Sequence, residues 1–267
     1  MPPASGLQAI SETFQRSKRE GRASFMPFFT VGYPDYATSI DALEMLANTG
    51  ADALEVGMPF SDPLADGPVI QSASQVALNN GTRIHDCIEA VRELRKRGVS
   101  IPLVMMGYIN PLLAYGIERF VSDAAEAGAS AFIIPDLPLE EVTELTDHCD
   151  KHGLGYIPLL APNSPPNRVE QAAAAARGFI YLVSVMGVTG ARESLPEYLA
   201  NYVGRIRMHT QKPLVVGFGV SKAEHANQIA HHADGVVVAS ALLREMDRAG
   251  LEAVRALAAS LRAGCYM

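Results

Sequence analysis

The stretch Ala51-Asp-Ala-Leu-Glu-Val-Gly57 is a short, mostly apolar run of the kind that forms a buried β-strand. Further along the chain, Ile84, Ile88, Val91 and Leu94 recur every three or four residues, which is the spacing of one face of an α-helix. Strands that are apolar on nearly every residue and are followed by helical segments are typical of a parallel sheet covered by helices. This unit therefore predicts an α/β protein.

The same alternation of apolar run and helical segment occurs eight times. The other seven apolar runs begin near Phe25, Ile101, Ser130, Leu154, Phe179, Pro213 and Asp234. Eight such units in 267 residues favour a closed (β/α)8 TIM barrel, which takes roughly 250 residues, over an open doubly wound sheet. Because no linker divides the chain, residues 1–267 are predicted to form a single domain. Leu7, Ile10 and Phe14 predict an extra N-terminal helix.

Composition and charge argue against several classes of function. The net charge is −7 and no basic face stands out, so a nucleic-acid partner is not expected. No apolar run approaches the roughly 20 residues that a membrane span needs. The cysteines at 87, 149 and 265 are odd in number and far apart, which suits a cytoplasmic protein. His and Cys motifs with metal-ligand spacing are absent, so metal catalysis is not expected.

Glu55 is an acidic residue within a predicted strand. Leu54 and Val56 share one face of that strand and suit the helix layer, which leaves Glu55 pointing into the barrel. A carboxyl group in apolar surroundings has a raised pKa and can exchange protons near neutral pH. The alternative is a structural ion pair with an arginine across the barrel.

Two groups of residues lie where predicted strands end. The loop after the second strand carries Asp62 and Asp66 among prolines, which restrict its conformations, although Asp before Pro or Gly is also common in ordinary turns. Small residues follow the last three strands, at Gly187-Val-Thr-Gly190, Gly217-Phe-Gly219 and Ala239-Ser240. Such turns can direct backbone N–H groups at a phosphate. The alternative for Ser221 and Ser240 is helix capping.

Longer motifs carry a resemblance to a known family. The most specific is Leu54-Glu-Val-Gly-Met-Pro-Phe-Ser-Asp-Pro-Leu-Ala-Asp-Gly-Pro68. Further motifs are Phe25-Met-Pro-Phe-Phe-Thr30, Gly32-Tyr-Pro-Asp35, Met106-Gly-Tyr-Ile-Asn-Pro111, Asp136-Leu-Pro138 and Tyr181-Leu-Val-Ser184. Together with the glycine motifs they cover essentially the whole barrel, and the sequence closely resembles the α subunit of tryptophan synthase. The resemblance implies cleavage of indole-3-glycerol phosphate to indole and glyceraldehyde 3-phosphate.

The resemblance also implies roles for individual residues. Glu55 and Asp66 match the two catalytic carboxylates: Glu55 protonates the indole ring and Asp66 accepts a hydrogen bond from the indole N–H. Phe28 would line the indole pocket, Tyr181 would approach Glu55, and Thr189 would hydrogen-bond Asp66 when the loop after the sixth strand closes. The phosphate would lie on backbone amides near Gly190, Gly219, Ala239 and Ser240.

Partners and departures follow from the same resemblance. The family's α subunit pairs with a β subunit that uses pyridoxal phosphate, so an α2β2 assembly and no cofactor in this chain are expected. Ala239 stands where the family usually has Gly, and Ala resists a positive φ. Val185-Met186 also departs from the usual pattern. A free-standing lyase that releases indole, a non-catalytic barrel that serves as an allosteric partner, and another phosphate-binding barrel enzyme such as an isomerase are the alternatives.

Overall fold

A parallel sheet built from the apolar runs forms the centre of the molecule. The computed structural model describes residues 6–183, 198–217 and 219–267. All strand pairs in this part of the chain are parallel. The strands are β1 Ser24–Thr30, β2 Leu54–Gly57, β3 Leu103–Met106, β4 Ala131–Ile133, β5 Gly155–Tyr156, β6 Leu159–Leu160, β7 Ile180–Val183, β8 Leu214–Gly217 and β9 Gly235–Val238.

The strand order closes the sheet into a barrel. The order is β5-β4-β3-β2-β1-β9-β8-β7-β6, so its two ends are β5 and β6, which adjoin in the chain. Between them, the N–H of Ile157 donates to the carbonyl of Phe132 at 2.9 Å, and the carbonyl of Pro158 accepts from the N–H of Tyr181 at 3.0 Å. The nine described strands therefore occupy eight positions of one barrel, and the predicted barrel fold is confirmed.

One predicted strand differs in detail. The run that begins near Leu154 forms two short strands, β5 and β6, with Ile157 and Pro158 between them. Proline has no N–H to donate, so a regular ladder is interrupted at this position.

Helices cover the outside of the sheet, and at least one described helix follows each strand position. They are α1 Gly6–Arg19, α2 Tyr36–Asn48, α3 Pro68–Asn79, α4 Ile84–Lys96, α5 Ile109–Tyr115, α6 Ile117–Ala127, α7 Thr143–His152, α8 Pro166–Ala175, α9 Leu199–Arg207, α10 Ala223–Ala230 and α11 Ser240–Gly264, with a 3-10 turn at Leu139–Glu141. Helix α11 is kinked at Gly250, which has φ 75°. No helix in the described ranges has the length and apolar character needed to cross a membrane.

The extra N-terminal helix is α1. Its residues Ile10 and Phe14 are buried, and the Phe14 ring contacts the edge of Phe179, with 5.6 Å between ring centroids. The amphipathic spacing thus fixes α1 against the body of the barrel.

The register of the sheet determines which side chains share the interior. Phe28 on β1 lies beside Glu55 on β2, and Glu55 lies beside Val104 on β3. Leu54 and Val56 point to the opposite face, where they are fully buried. Because successive side chains of a strand alternate between faces, Phe28 and Glu55 point into the barrel together.

Candidate active site

A cavity lies at the carboxyl ends of the strands. The empty space within it and at its opening to solvent amounts to about 430 Å³. Its walls are Phe28, Glu55, Asp66, Ile70, Met106, Tyr181, Gly219, Val220, Val237, Ala239 and Ser240. The structure thus brings together every described residue to which the resemblance assigned a role in the site, whereas Asp62 is not part of the cavity wall. Thr189, Gly190 and Val185-Met186 lie outside the described residues.

Glu55 is enclosed in this cavity, and none of the described side chains forms an ion pair with it. The residue is 1% exposed, and its Oε1 has no hydrogen-bond partner within the described ranges. Burial raises the pKa of the Glu55 carboxyl from its usual 4.5 to about 8, and the negative charge of Asp66 adds to the shift. Glu55 therefore carries a proton over much of the neutral range.

Asp52, which precedes β2 by two residues, is a buried carboxylate whose partners are all structural, in contrast to Glu55. Arg22 donates to both of its oxygens, at 2.6 and 2.9 Å, and the N–H of Phe25 donates to it at 2.9 Å. The alternative interpretation of Glu55, an ion pair with an arginine, thus describes Asp52. Glu55 has no ion pair with any described arginine or lysine.

Asp66 is held at the end of the loop after β2. Its N–H donates to the carbonyl of Pro63 at 3.0 Å, and the side chain of Gln71 donates to its carbonyl at 2.9 Å. Its Oδ2 accepts a hydrogen bond of 2.9 Å from the phenol of Tyr108. Burial raises the pKa of Asp66 to about 6, and the hydrogen bond from Tyr108 partly offsets that rise.

Tyr108 is a site residue to which the sequence alone assigned no role. Its phenol oxygen also accepts from the N–H of Ala65 at 3.1 Å, and its ring stacks on Phe60, with 5.1 Å between centroids. The signal that pointed to it was its place in the motif at residues 106–111. The motif could not show that the loop after β2 packs against Tyr108.

Two aromatic rings occupy the interior beside glycines. A Cβ at Gly57 would lie 2.4 Å from the Phe28 ring, and a Cβ at Gly217 would lie 1.9 Å from the phenol oxygen of Tyr181. Both distances are shorter than any real contact, so a larger residue at either position would require the neighbouring ring to move. The pKa of Tyr181 is raised well above its usual value, first by burial and then by the charges of Glu55 and Asp66, so its phenol stays protonated.

The glycine-containing turns form the other end of the cavity. Gly219 has φ +80°, a conformation that side chains disfavour. Ala239 has φ −123°, which is not the positive φ that alanine resists, so alanine fits here without strain of that kind. The alternative that Ser221 and Ser240 cap helices is wrong, because the N-cap of α10 is Lys222 and the N-cap of α11 is Ala239.

No second group of unpaired acidic side chains is found in the other large groove of the described chain. A larger groove of about 2520 Å³ lies at the opposite end of the barrel beside α1, but its carboxylate, Asp234, is paired with Arg207. Within residues 6–183, 198–217 and 219–267, no three His, Cys, Asp or Glu side chains are grouped as they would be around a metal ion.

Fold and site together define a (β/α)8 barrel that holds, in one cavity at the carboxyl ends of its strands, two carboxyl groups whose raised pKa values differ, an arrangement common in enzymes that transfer protons. A family model described as "Tryptophan synthase alpha chain" matches residues 14–263. The chain belongs to the tryptophan synthase alpha chain family.

Individual relatives agree with this assignment. The chain is 48% identical to the tryptophan synthase alpha chain of Chloroflexus aggregans, over 91% of both chains, and 43% identical to that of Streptomyces coelicolor, over 97% of both. Among solved structures, it resembles a Mycobacterium tuberculosis tryptophan synthase chain, with a TM-score of 0.91, 39% identity and coverage of 97% of this chain and 98% of that one.

Family membership confirms several expectations. The chain is a lyase that cleaves indole-3-glycerol phosphate in tryptophan biosynthesis. It assembles with a beta subunit, which holds the pyridoxal phosphate, and the alpha chain of the family has no cofactor.

Proposed function

We propose that Glu55 and Asp66 are the two catalytic carboxyl groups of this cleavage. The observation that supports the proposal is that Glu55 is a buried carboxyl group, without a counter-ion in the described chain, that shares one cavity with Asp66. At pH 7, Glu55 is mostly protonated and Asp66 mostly ionised, because their pKa values are raised to about 8 and about 6. One group can therefore give a proton while the other stabilises positive charge.

Glu55 first acts as the general acid. It donates its proton to the indole ring carbon that bears the glycerol chain, and the ring becomes a cationic indolenine. The carboxylate left on Glu55 then accepts the proton of the adjacent glycerol hydroxyl. The carbon–carbon bond breaks, its electron pair returns to the ring, and the hydroxyl carbon becomes the aldehyde. Glu55 gives one proton and takes one, so it ends in its starting state.

Asp66 stabilises the cation formed in the first step. Its carboxylate accepts a hydrogen bond from the ring N–H, and this bond strengthens as the nitrogen becomes positive. Phe28 on β1 and Tyr181 on β7 provide aromatic walls for the ring. By the family pattern, Thr189 adds a second hydrogen bond to Asp66.

The phosphate of the substrate lies at the other end of the cavity. We place it on the backbone amides of the turns after the last strands, supported by the position of Gly219, Ala239 and Ser240 in the cavity wall and by the start of α11 at Ser240. The residues concerned are Gly190, Gly219, Ala239 and Ser240.

Three further proposals concern the protein as a whole. We propose that residues 1–267 form one domain, supported by the single sheet that contains every described strand. A cytoplasmic location is supported by free, buried cysteines at 87, 149 and 265. An α2β2 assembly follows from the family, and sedimentation of the mixed subunits tests it.

The substitution Glu55→Gln tests the catalytic proposal most directly. Gln keeps the shape of Glu but cannot transfer the proton. Turnover in the complex with the beta subunit should therefore fall by about 10²-fold or more, since one positioned proton transfer contributes about 10²–10⁴-fold. Binding of glyceraldehyde 3-phosphate should persist, because it depends on the opposite end of the cavity. Glu12→Gln, an exposed change at the other end of the barrel, is the control. Wild-type turnover in Glu55→Gln would refute the assigned role.

A further inference from the structure

The cavity described above contains negative charge but no positive side chain to bind a phosphate. Its titratable acids are Glu55 and Asp66, and no lysine or arginine is among its described lining residues. The chain as a whole carries a net charge of −7. A positive side chain close to the phosphate end would therefore add to the attraction that the backbone amides provide for a doubly charged phosphate.

Arg244 is a cationic side chain that contacts the cavity wall. It lies one turn after Ser240 on α11, and its Nη2 is 3.5 Å from the Ser240 hydroxyl oxygen. Arg244 also borders a surface pocket together with Ser221, which follows the turn at Gly219. Two carboxylates line the same pocket, but Glu245 is paired with Arg248 and Asp247 accepts a hydrogen bond from the Tyr33 phenol. The guanidinium therefore lies close to the turn at Gly219 and to the turn at Ser240, outside the cavity wall that these turns form.

Arg244 differs from its neighbour Arg248 in burial and in the absence of an ion-pair partner among the described residues. Arg248, one turn further along α11, is paired with Glu245 at 2.5 Å and is exposed. Arg244 is half-buried, and no carboxylate of the described chain lies within ion-pair distance of it. A half-buried guanidinium without a counter-ion retains most of its field, because solvent screens it less than an exposed one.

The helix start adds to the same field. The first turn of α11 contains no acidic residue, although acids are favourable near a helix N-terminus. A cation near the positive end of a helix is unfavourable by itself, and a bound anion would relieve that cost. Ser240, Arg244 and the helix start thus converge on the same side of the cavity.

We propose that Arg244 is a phosphate-binding residue that supplies positive charge from behind Ser240. This inference rests on the proposed position of the phosphate at the turns near Gly219 and Ser240. Arg244 is assigned to binding and takes no part in proton transfer. It should therefore affect the affinity for phosphorylated ligands and leave the chemical step unchanged.

The test compares three variants in the complex with the beta subunit: Arg244→Gln, Arg244→Lys and the control Arg248→Gln. Calorimetry measures the affinity for inorganic phosphate and for glycerol 3-phosphate at low ionic strength. We expect Arg244→Gln to weaken both by about 3- to 10-fold, Arg244→Lys to stay within about twofold of wild type, and Arg248→Gln to change nothing. KM for indole-3-glycerol phosphate should rise with kcat unchanged.

Ionic strength provides a second readout that a structural defect would not reproduce. At about 1 M salt the Debye length falls to about 3 Å, so the difference between wild type and Arg244→Gln should largely disappear. Equal affinities at low salt, or an equal loss in Arg248→Gln, would overturn the role of Arg244.

A separate variant tests whether the phosphate lies at the turns near Gly219 and Ser240. Ser240→Asp puts a negative charge at the phosphate turn and should abolish phosphate binding whatever Arg244 does. If Ser240→Asp binds phosphate normally, the phosphate lies elsewhere and both proposals fail. If Ser240→Asp loses binding while Arg244→Gln keeps it, only the role of Arg244 is wrong.

Discussion

The phenol oxygen of Tyr108 donates a 2.9 Å hydrogen bond to Oδ2 of Asp66 and accepts one of 3.1 Å from the N–H of Ala65. One tyrosine thus fixes both the carboxylate and the backbone of the loop that carries it. Because Tyr108 precedes α5 and Asp66 follows β2, this contact ties together two neighbouring loops at the carboxyl end of the barrel.

Tyr108→Phe should impair the site while leaving the fold intact. Loss of the phenol donor removes the interaction that lowers the pKa of Asp66, so that pKa should rise and the acidic limb of the pH–rate profile should move upward. Since a hydrogen bond to a charged group is worth about 1.5–3 kcal/mol, kcat/KM at pH 6 should fall by roughly 10-fold or more. Steady-state kinetics from pH 5 to 9 measure both effects.

Tyr202→Phe is the matched control for this change. Tyr202 is equally buried, and its phenol donates to the carbonyl of Leu160 at 2.7 Å, away from the cavity. Both variants lose a buried hydroxyl, but only Tyr108→Phe should move the acidic limb. An identical pH profile for the two variants would contradict a positioning role for Tyr108.

The pH profile of the wild-type enzyme should be bell-shaped. Cleavage needs Asp66 ionised and Glu55 protonated, so kcat/KM should rise as pH passes about 6 and fall as pH passes about 8. In Asp66→Asn the acidic limb should vanish from the residual activity. A limb that persists near pH 6 in that variant would belong to the phosphate of the substrate, and a flat profile up to pH 9 in the wild type would rule out Glu55 as the acid.

Glu55→Gln should gain stability relative to the wild type as pH rises. The folded-state pKa of Glu55 is raised from 4.5 to about 8, so the folded protein holds a proton that the unfolded chain has lost. The contribution of Glu55 to the free energy of unfolding is fully present below pH 4.5. It is lost as pH rises through about 8, by an amount on the order of a few kcal/mol. Gln does not titrate, so the difference in free energy of unfolding between variant and wild type should grow from pH 5 to pH 9 in urea titrations. Glu12→Gln should show no such trend.

Gly217→Ala should reduce activity by displacing an aromatic ring. A Cβ at Gly217 would lie 1.9 Å from the phenol oxygen of Tyr181, so the ring must move within the cavity. We expect kcat/KM to fall by more than 10-fold, with a loss of about 1–3 kcal/mol in stability. The control is Gly204→Ala in α9, where nothing lies within 4 Å of the new Cβ and stability should rise by about 0.5–1 kcal/mol. Normal activity in Gly217→Ala would mean that Tyr181 has no fixed place in the site.

Much of the architecture is determined locally and was therefore predictable. Strand and helix periodicity come from neighbouring residues, and the alternation of side chains along β2 predicted that Glu55 faces inward and Leu54 outward. Asp66 could be associated with Glu55 because the two belong to one continuous motif. The break at Pro158 was also visible in principle, since proline cannot donate to a ladder.

By itself, the sequence determined the barrel, the family and the residue types available at its rim, since these follow from periodicity and from motifs within single loops. Only the tertiary structure decided that Asp52 is neutralised by Arg22 while Glu55 has no described ion-pair partner. It also decided that Tyr108 reaches Asp66 across 42 residues of chain. Such contacts depend on how distant strands pack in a closed barrel, and the pKa of a buried carboxyl group depends on those neighbours.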